Sequence, residues 1–197
     1  AAHEEGAMLR HKLWQWLVKI HPAQVKVVAG GRCIGKTTVA LECLRRNGGG
    51  VLVAPHYMGQ FYKTLPLPKG VKVITDRGLG TRDGWEWAKK WMQRFIVLDE
   101  AAYVDGYAHM LAWYVVKLGG KALLISTIRY REQRFRQAYF NAKPWWYFSR
   151  ESARFRVSSW WGISRKELQV LYEELDEPLA KQEYKAEWDA ESNTADT

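Results

Sequence analysis

The sequence "GGRCIGKTT", residues 30–38, follows an apolar run typical of a buried strand and precedes a stretch with helical character. It contains Gly30, four further residues and then Gly35-Lys36-Thr37, so it matches the pattern GxxxxGK[ST] without a mismatch. Glycines let the backbone approach phosphate oxygens closely, and the amides at the start of the following helix attract anions. In this strand, loop and helix setting, the pattern predicts a loop that binds the phosphates of ATP.

Individual roles follow from the chemistry of the loop. Lys36 is expected to reach the β- and γ-phosphates, and the Thr37 hydroxyl to ligate Mg²⁺. Arg32 is expected either to stabilise phosphate charge or to pair with a carboxylate and shape the loop. Gln24 is a candidate adenine contact, with Gln15 as its competitor, and each is equally well explained as a surface residue. The predicted nucleotide-binding residues are Gly30, Gly31, Arg32, Cys33, Ile34, Gly35, Lys36, Thr37, Thr38 and Gln24.

A second motif, "FIVLDE" at residues 95–100, places two acidic residues directly after four apolar ones. This Walker B arrangement predicts that Asp99 holds Mg²⁺ and that Glu100 polarises the attacking water. The alternative is that the two carboxylates cap the next helix. Ser126-Thr127 ends a later apolar run and is expected either to couple hydrolysis to motion or to cap a helix. The predicted catalytic residues are Glu100, Lys36 and Arg32.

Composition favours a polyanionic partner. The 197 residues carry a formal net charge of +9, with an isoelectric point near 9.5, which favours nucleic acid. A basic, aromatic segment begins near residue 129, and its DNA-contact candidates are Arg129, Arg131, Arg134 and Arg136. The alternative is that its aromatic residues cover a sheet edge while its arginines stay solvated. Two cysteines without metal spacing indicate a reduced, cytosolic protein, and the absence of a long apolar run predicts no membrane partner.

Alternating patterns predict an α/β fold with three layers, in which helices flank a central, mostly parallel sheet. Strands are expected at 25–29, 51–54, 71–75, 95–98 and 122–126, and helices at 8–20, 56–65, 83–93, 106–118, 164–175 and 178–188. Short strands at 145–149 and 155–159 are expected outside the main alternation. This is the P-loop NTPase fold of the ASCE/RecA-like class, with an extra strand between Walker A and Walker B. The expected divisions are a flexible N-terminus or tag remnant at 1–7, an ATPase domain at 8–190 with a lid-like subdomain at 145–190, and a disordered tail at 191–197.

The ordered set GGRCIGKTT, FIVLDEAAYV, LLISTIR and FRVSSWWGIS…ELDEPLAKQEYKAEW resembles the ATPase half of the large terminase subunit of tailed viruses. The resemblance spans about residues 20–190. It implies a Mg-ATP-dependent motor that moves double-stranded DNA through a portal into a procapsid. It also implies a homo-oligomeric ring, a small terminase subunit as partner, and a place in the cytoplasm of the infected cell, outside the mature virion.

The sequence departs from this family in two ways. The coupling segment reads Ser-Thr-Ile-Arg, where the family commonly has Ser-Thr-Pro followed by glycine, and no acidic cluster typical of the nuclease half follows Trp188. Two other functions are compatible with the motifs. One is a single lobe of a helicase-like or remodelling ATPase, and the other is a nucleotide-gated module that binds nucleic acid with negligible hydrolysis.

Overall fold

Six parallel strands form one sheet in the part of the chain that the structure describes. The structure is a computed structural model, and it describes residues 2–91, 94–129, 132–175 and 177–188. The strands are β1 (Val25–Gly30), β2 (Gly50–Ala54), β3 (Val71–Thr75), β4 (Phe95–Asp99), β5 (Lys121–Ser126) and β6 (Ser152–Val157). Their order is β3-β2-β4-β5-β1-β6, and every neighbouring pair is parallel. The predicted α/β class with a mostly parallel sheet is confirmed.

Helices cover both faces of this sheet. They are α1 (Ala2–Ile20), α2 (Lys36–Arg46), α3 (Gly59–Thr64), α4 (Asp76–Leu79), α5 (Arg82–Trp91), α6 (Gly106–Lys117), α7 (Gln133–Asn141), α8 (Arg165–Glu173) and α9 (Glu177–Ala180). One apolar cluster joins the sheet to α5, α6 and α7, and a second joins it to α1, α2 and α3. The four central strands β2, β4, β5 and β1 are apolar almost throughout because each contributes alternate side chains to two separate cores, whereas the edge strand β6 buries only one of its faces. The three-layer prediction is therefore confirmed.

Local capping sets where several helices begin. The Asp105 carboxylate accepts hydrogen bonds from the first amides of α6, and the Glu132 carboxylate does the same for α7. At α8, Ser164 and Glu167 form a reciprocal capping box. These side chains satisfy amides that have no partner within the helix, so the chain turns sharply into each helix at a defined residue.

The strand order brings three carboxyl ends to one edge of the sheet. β1 leads into the glycine-rich loop at Gly30, β4 ends at Asp99, and β5 ends at Ser126. β5 lies between β1 and β4, as the predicted extra strand between Walker A and Walker B requires. Because all three strands run in the same direction, the loop, the acidic pair and the polar end of β5 meet at this edge.

Other expectations differ from the structure, mostly near the two ends of the chain. The first helix begins at Ala2, so most of the segment expected to be flexible forms its first turns. The aromatic run expected as a strand at 145–149 contains a 3₁₀ turn, Trp145–Tyr147, because Pro144 precedes it and Phe148 adopts a left-handed φ of 49°. In place of the helix expected at 178–188, α9 is followed by a π-helical turn, Lys181–Lys185.

The last strand is also placed differently from the expectation. β6 belongs to the main sheet, where it pairs with β1 from Val25↔Ser152 to Gly30↔Val157. It was expected at 155–159 and outside the main alternation, in a separate lid-like subdomain. Arg131 and the tail at 191–197 lie outside the described residues. Within the described ranges, no helix is long and apolar enough to cross a membrane.

Two neighbouring residues of α6 provide a direct test of the packing. Leu111 is fully buried against the sheet, whereas Met110 on the same helix is 60% exposed. We expect Leu111→Ala to lower the free energy of unfolding by about 2–5 kcal/mol, because it leaves a cavity in the core. Met110→Ala, the matched control, should change it by less than about 0.5 kcal/mol. Urea denaturation of both variants measures the difference, and equal losses would contradict the described packing of α6.

Candidate active site

The glycine-rich loop is shaped to present amides at the start of α2. Gly35 is the N-cap of α2, and its φ of 76° lies in the left-handed region that glycine adopts without a steric penalty. Cys33 also has a positive φ, of 60°. Gly35 offers no side-chain hydrogen bond to the first turn of α2. The amides of that turn are therefore available to an anion, and the helix dipole favours negative charge at this point.

Lys36 joins the loop to the acidic strand end. Its side chain is almost buried, and its Nζ donates a hydrogen bond of 3.0 Å to the Gly31 carbonyl oxygen. The same ammonium lies 3.6 Å from Oε1 of Glu100. The loop lysine and the second acidic residue of "FIVLDE" therefore face each other directly, as the predicted catalytic arrangement requires.

Thr37 and Asp99 form the second contact between the loop and β4. The Thr37 hydroxyl donates a hydrogen bond of 3.0 Å to Oδ2 of Asp99, and the Tyr62 hydroxyl donates to the same oxygen. Burial and the neighbouring charge of Glu100 raise the pKa of the Asp99 carboxyl, while hydrogen bonds from Tyr62 and Thr37 act in the opposite direction. A hydroxyl and a carboxylate in contact are oxygen donors of the type that Mg²⁺ prefers. Their chemistry fits the predicted metal role of these two residues.

Glu100 is held by the polar end of β5. Its Oε2 accepts hydrogen bonds from Ser126 Oγ at 3.2 Å, from the Thr127 amide at 3.2 Å and from the Thr127 hydroxyl at 3.1 Å. Glu100 also has a left-handed φ of 51°, which is uncommon for a residue with a side chain. Such strain persists only where surrounding contacts hold it, and it is concentrated at functional sites. Ser126 and Thr127 are thus in direct contact with the predicted catalytic carboxylate.

The positions of Arg32 and Ile34 bear on the phosphate-binding roles predicted for them. The Arg32 guanidinium forms a two-point ion pair with Glu183, with Nε–Oε2 at 2.7 Å and Nη2–Oε1 at 3.0 Å. This corresponds to the second of the two roles expected for Arg32, pairing with a carboxylate. The Ile34 side chain is fully buried in the core, so only its backbone can face a phosphate, whereas Cys33 and Thr38 are exposed.

An open cleft of about 490 Å³ lies between the loop and the acidic strand end. It is lined by Arg32, Cys33, Lys36, Tyr57, Met58, Glu100, Tyr103 and Thr127. Sequence reasoning missed Tyr57, Met58 and Tyr103, although each follows a strand that ends at this edge. Burial and the nearby charge of Glu100 raise the pKa of Tyr57 to about 12, so its phenol stays protonated at neutral pH.

The prediction that Gln24 contacts adenine is wrong. The Gln24 side-chain amide donates hydrogen bonds to the carbonyl oxygens of Val116 at 3.0 Å and Gly120 at 2.7 Å. It lies at the amino end of β1, and the glycine-rich loop follows the opposite end of that strand. Its competitor Gln15 lies beside the loop, where a Cβ built on Gly35 would be 2.8 Å from the Gln15 amide nitrogen. The base-contact prediction therefore remains only for Gln15.

The structure gives three of the candidate DNA-binding arginines different neighbours. Arg129 lies 5.3 Å from the ring centre of Tyr103, a residue that lines the cleft. The Arg134 guanidinium lies beside Gly106 at the start of α6, and that of Arg136 lies 5.5 Å from the ring centre of Phe140. Arg129 is thus close to the cleft, and the other two lie on α7.

The sheet order, the loop before α2 and the acidic end of β4 together define the fold of a P-loop NTPase. A scan against protein-family models and a search of curated proteins gave no match. Among solved structures, the chain is similar to the large terminase ATPase domain of Thermus phage P74-26, with a TM-score of 0.60 and 18% sequence identity. The similarity covers 89% of this chain and 92% of that chain. The protein therefore has a terminase ATPase-like fold.

Close packing around Gly31 makes the loop sensitive to one added methyl group. A Cβ at Gly31 would lie 2.3 Å from Ser159 Oγ and 2.5 Å from the Tyr184 carbonyl oxygen. We expect Gly31→Ala to lower the free energy of unfolding by about 1–3 kcal/mol, because the backbone of the C-terminal segment has to move. In the matched control Gly6→Ala, Arg10 Nη1, at 3.4 Å, is the only atom that the new methyl meets among the described residues, and stability should not fall. Equal urea midpoints for the two variants would show that the loop does not contact this segment.

Proposed function

We propose that this protein binds Mg-ATP in the cleft beside Lys36 and hydrolyses it. The observation that carries this proposal is the 3.6 Å contact between Lys36 Nζ and Glu100 Oε1, beside the bonded pair Thr37 and Asp99. A phosphate loop and a Walker B pair need this proximity, because the phosphates, the metal and the attacking water lie within a few ångströms of one another.

Each residue has a defined task in this reaction. Lys36 and the first amides of α2 bind the phosphates and compensate the charge that develops on them. Glu100 orients and polarises the water for in-line attack, and its position is set by the hydrogen bonds from Ser126 and Thr127. Thr37 and Asp99 would hold Mg²⁺, which would neutralise charge between the β- and γ-phosphates.

We further propose that hydrolysis drives the movement of double-stranded DNA. The support is the terminase ATPase-like fold and the formal charge of +9, which suits a polyanionic partner. Under this proposal the chain works as a homo-oligomeric ring on a portal, with a small terminase subunit, in the cytoplasm of an infected cell. Its product is a procapsid filled with viral DNA.

One observation favours a second function, that of a nucleotide-gated module with negligible hydrolysis. The Glu100 carboxylate accepts hydrogen bonds from Ser126 and Thr127 and also faces the Lys36 ammonium. In that arrangement, Glu100 holds the loop and the end of β5 together. Phosphates would compete with Glu100 for Lys36, so nucleotide binding would change the contacts of the Glu100 carboxylate. This role does not require Glu100 to polarise water.

The substitution Glu100→Gln separates these two functions. It keeps the shape of the side chain but removes the negative charge that polarises water, so we expect ATP turnover to fall at least about 100-fold. ATP affinity should be largely retained, and Lys36→Ala should instead abolish binding. The measurements are steady-state phosphate release and nucleotide titration on the same preparations. Equally negligible turnover in the wild type and Glu100→Gln, with ATP still bound, would leave the nucleotide-gated module as the function, whereas equal and appreciable turnover would contradict the catalytic role of Glu100.

DNA contact is proposed for Arg134 and Arg136 on α7. Replacing both with alanine should weaken binding to duplex DNA and lower the slope of log affinity against log salt by about 2, since each phosphate contact contributes about one unit. The matched control is Lys89→Ala with Lys90→Ala on α5, which removes the same charge elsewhere. Fluorescence anisotropy at several salt concentrations gives both quantities. If both double variants lose affinity equally, only net charge matters and α7 is not the contact surface.

A further inference from the structure

A second cavity lies at the opposite edge of the sheet, at the amino ends of β1 and β5. We call it the basal cavity, and its volume is about 360 Å³. Its lining residues are Lys19, Ile20, His21, Pro22, Ala23, Gln24, Lys26, Cys43, Arg46, Asn47, Phe95, Lys121, Ala122 and Leu123. Four of them are cationic, and none of these lining residues carries a carboxylate. The cations come from α1, β1, α2 and β5, so the fold, rather than a local run of sequence, brings them together.

Lys26 is the most desolvated of these cations. It projects from β1, and its Nζ donates a hydrogen bond of 2.6 Å to the Val18 carbonyl oxygen near the end of α1. Burial, together with smaller effects of the positive charges of Lys121 and Arg46, lowers the pKa of Lys26 to about 8, although Cys43 acts in the opposite direction. The positive charge on Lys26 is therefore costly unless an anion lies nearby.

Among the described residues, the negative groups around the basal cavity do not balance its four cations. Glu42 lies near Lys19 and Arg46, but its carboxylate is bound by Arg45 at 3.0 Å and it is exposed to solvent. The carboxyl ends of α1 and α2 each contribute roughly half a negative charge, which leaves an excess of about three positive charges. Closely spaced cations in a concave site focus a positive potential that attracts an anion.

We propose that the basal cavity is a binding site for a phosphate-type dianion, either a free phosphoanion or a phosphate of a nucleic-acid backbone. Ammonium and guanidinium groups from separate elements can surround such an anion with charge-assisted hydrogen bonds. The site is separate from the nucleotide cleft, because the two lie at opposite ends of β1. The inference does not depend on the proposed ATPase activity.

Sulfate titration tests the site. Sulfate mimics a phosphate dianion and keeps its charge over the pH range used, and a Lys36→Ala background prevents the glycine-rich loop from competing for it. We expect calorimetry to detect one sulfate site in this background, with affinity falling about tenfold or more when Lys26→Met is added. Lys12→Met, which removes an exposed lysine of α1, is the matched control and should leave affinity unchanged. Circular dichroism confirms that each variant is folded.

The pH dependence of sulfate affinity provides a second, independent readout. Lys26 contributes to anion binding only when it is protonated, so with its pKa at about 8 affinity should fall about tenfold between pH 7 and pH 9. The other groups facing Lys26 are Lys19, Lys121, Arg46, Glu42, His21 and Cys43. Burial lowers the pKa of His21 and raises that of Cys43, which moves both titrations away from this interval. The substitution Lys26→Arg should remove the pH dependence.

Duplex DNA distinguishes the two sources of phosphate. If the anion is a backbone phosphate, Lys26→Met should also weaken duplex binding and lower its salt slope by about 1. If it is a free phosphoanion, duplex binding should be unaffected while sulfate binding is lost. The inference is overturned if the Lys36→Ala protein binds no sulfate, or if Lys26→Met and Lys12→Met bind it equally well. Neither result would affect the proposed ATPase, because none of these measurements uses ATP.

Discussion

Two adjacent carboxylates at the end of a buried strand are the constraint around which the cleft is built. Asp99 is fully buried, and a buried carboxylate is costly unless its oxygens accept hydrogen bonds. Asp99 accepts hydrogen bonds from the hydroxyls of Thr37 and Tyr62. Glu100 accepts hydrogen bonds from Ser126 and Thr127 and faces the ammonium group of Lys36. Helices α2 and α3 and the end of β5 therefore each contribute a side chain or an amide that contacts one of these two carboxylates. The same donors would be released or redirected when phosphates and a metal enter.

The parallel sheet makes this concentration of polar groups possible. β5 lies between β1 and β4, so its polar end falls between the phosphate loop and the acidic pair. The left-handed φ of Glu100 turns its side chain back toward Lys36 and Thr127, and those contacts offset the strain of that conformation. A change at Ser126 or Thr127 would therefore act on Glu100 without touching nucleotide. For the proposed hydrolysis, these contacts would be a physical basis for coupling between β5 and the reaction, independent of any named motif.

The sequence predicted those parts of the site that are encoded locally. The loop pattern and the acidic pair lie within short windows, and strand direction then requires them to meet at one edge. The partner of Arg32 could not be found in this way, because Glu183 is 151 residues away and nothing in its local sequence indicates a contact with the loop. The error at Gln24 was avoidable, since a residue before β1 must lie opposite to the loop that follows β1. The aromatic run after Pro144 suggested a strand because aromatic residues favour sheets, but proline and a left-handed Phe148 turn the chain there.

The sequence did not predict where the positively charged side chains come together in the fold. The basic, aromatic segment appears as one patch in the sequence, yet its arginines lie over separate rings, Arg129 over Tyr103 and Arg136 over Phe140. A guanidinium that packs on an aromatic ring can still bind a phosphate through those N–H groups that reach solvent. In the basal cavity, by contrast, Lys19, Lys26, Arg46 and Lys121 are spread over about a hundred residues and converge in space. Because the electrostatic potential depends on distance in the fold, the spacing of charges along the chain does not show where such a convergence lies.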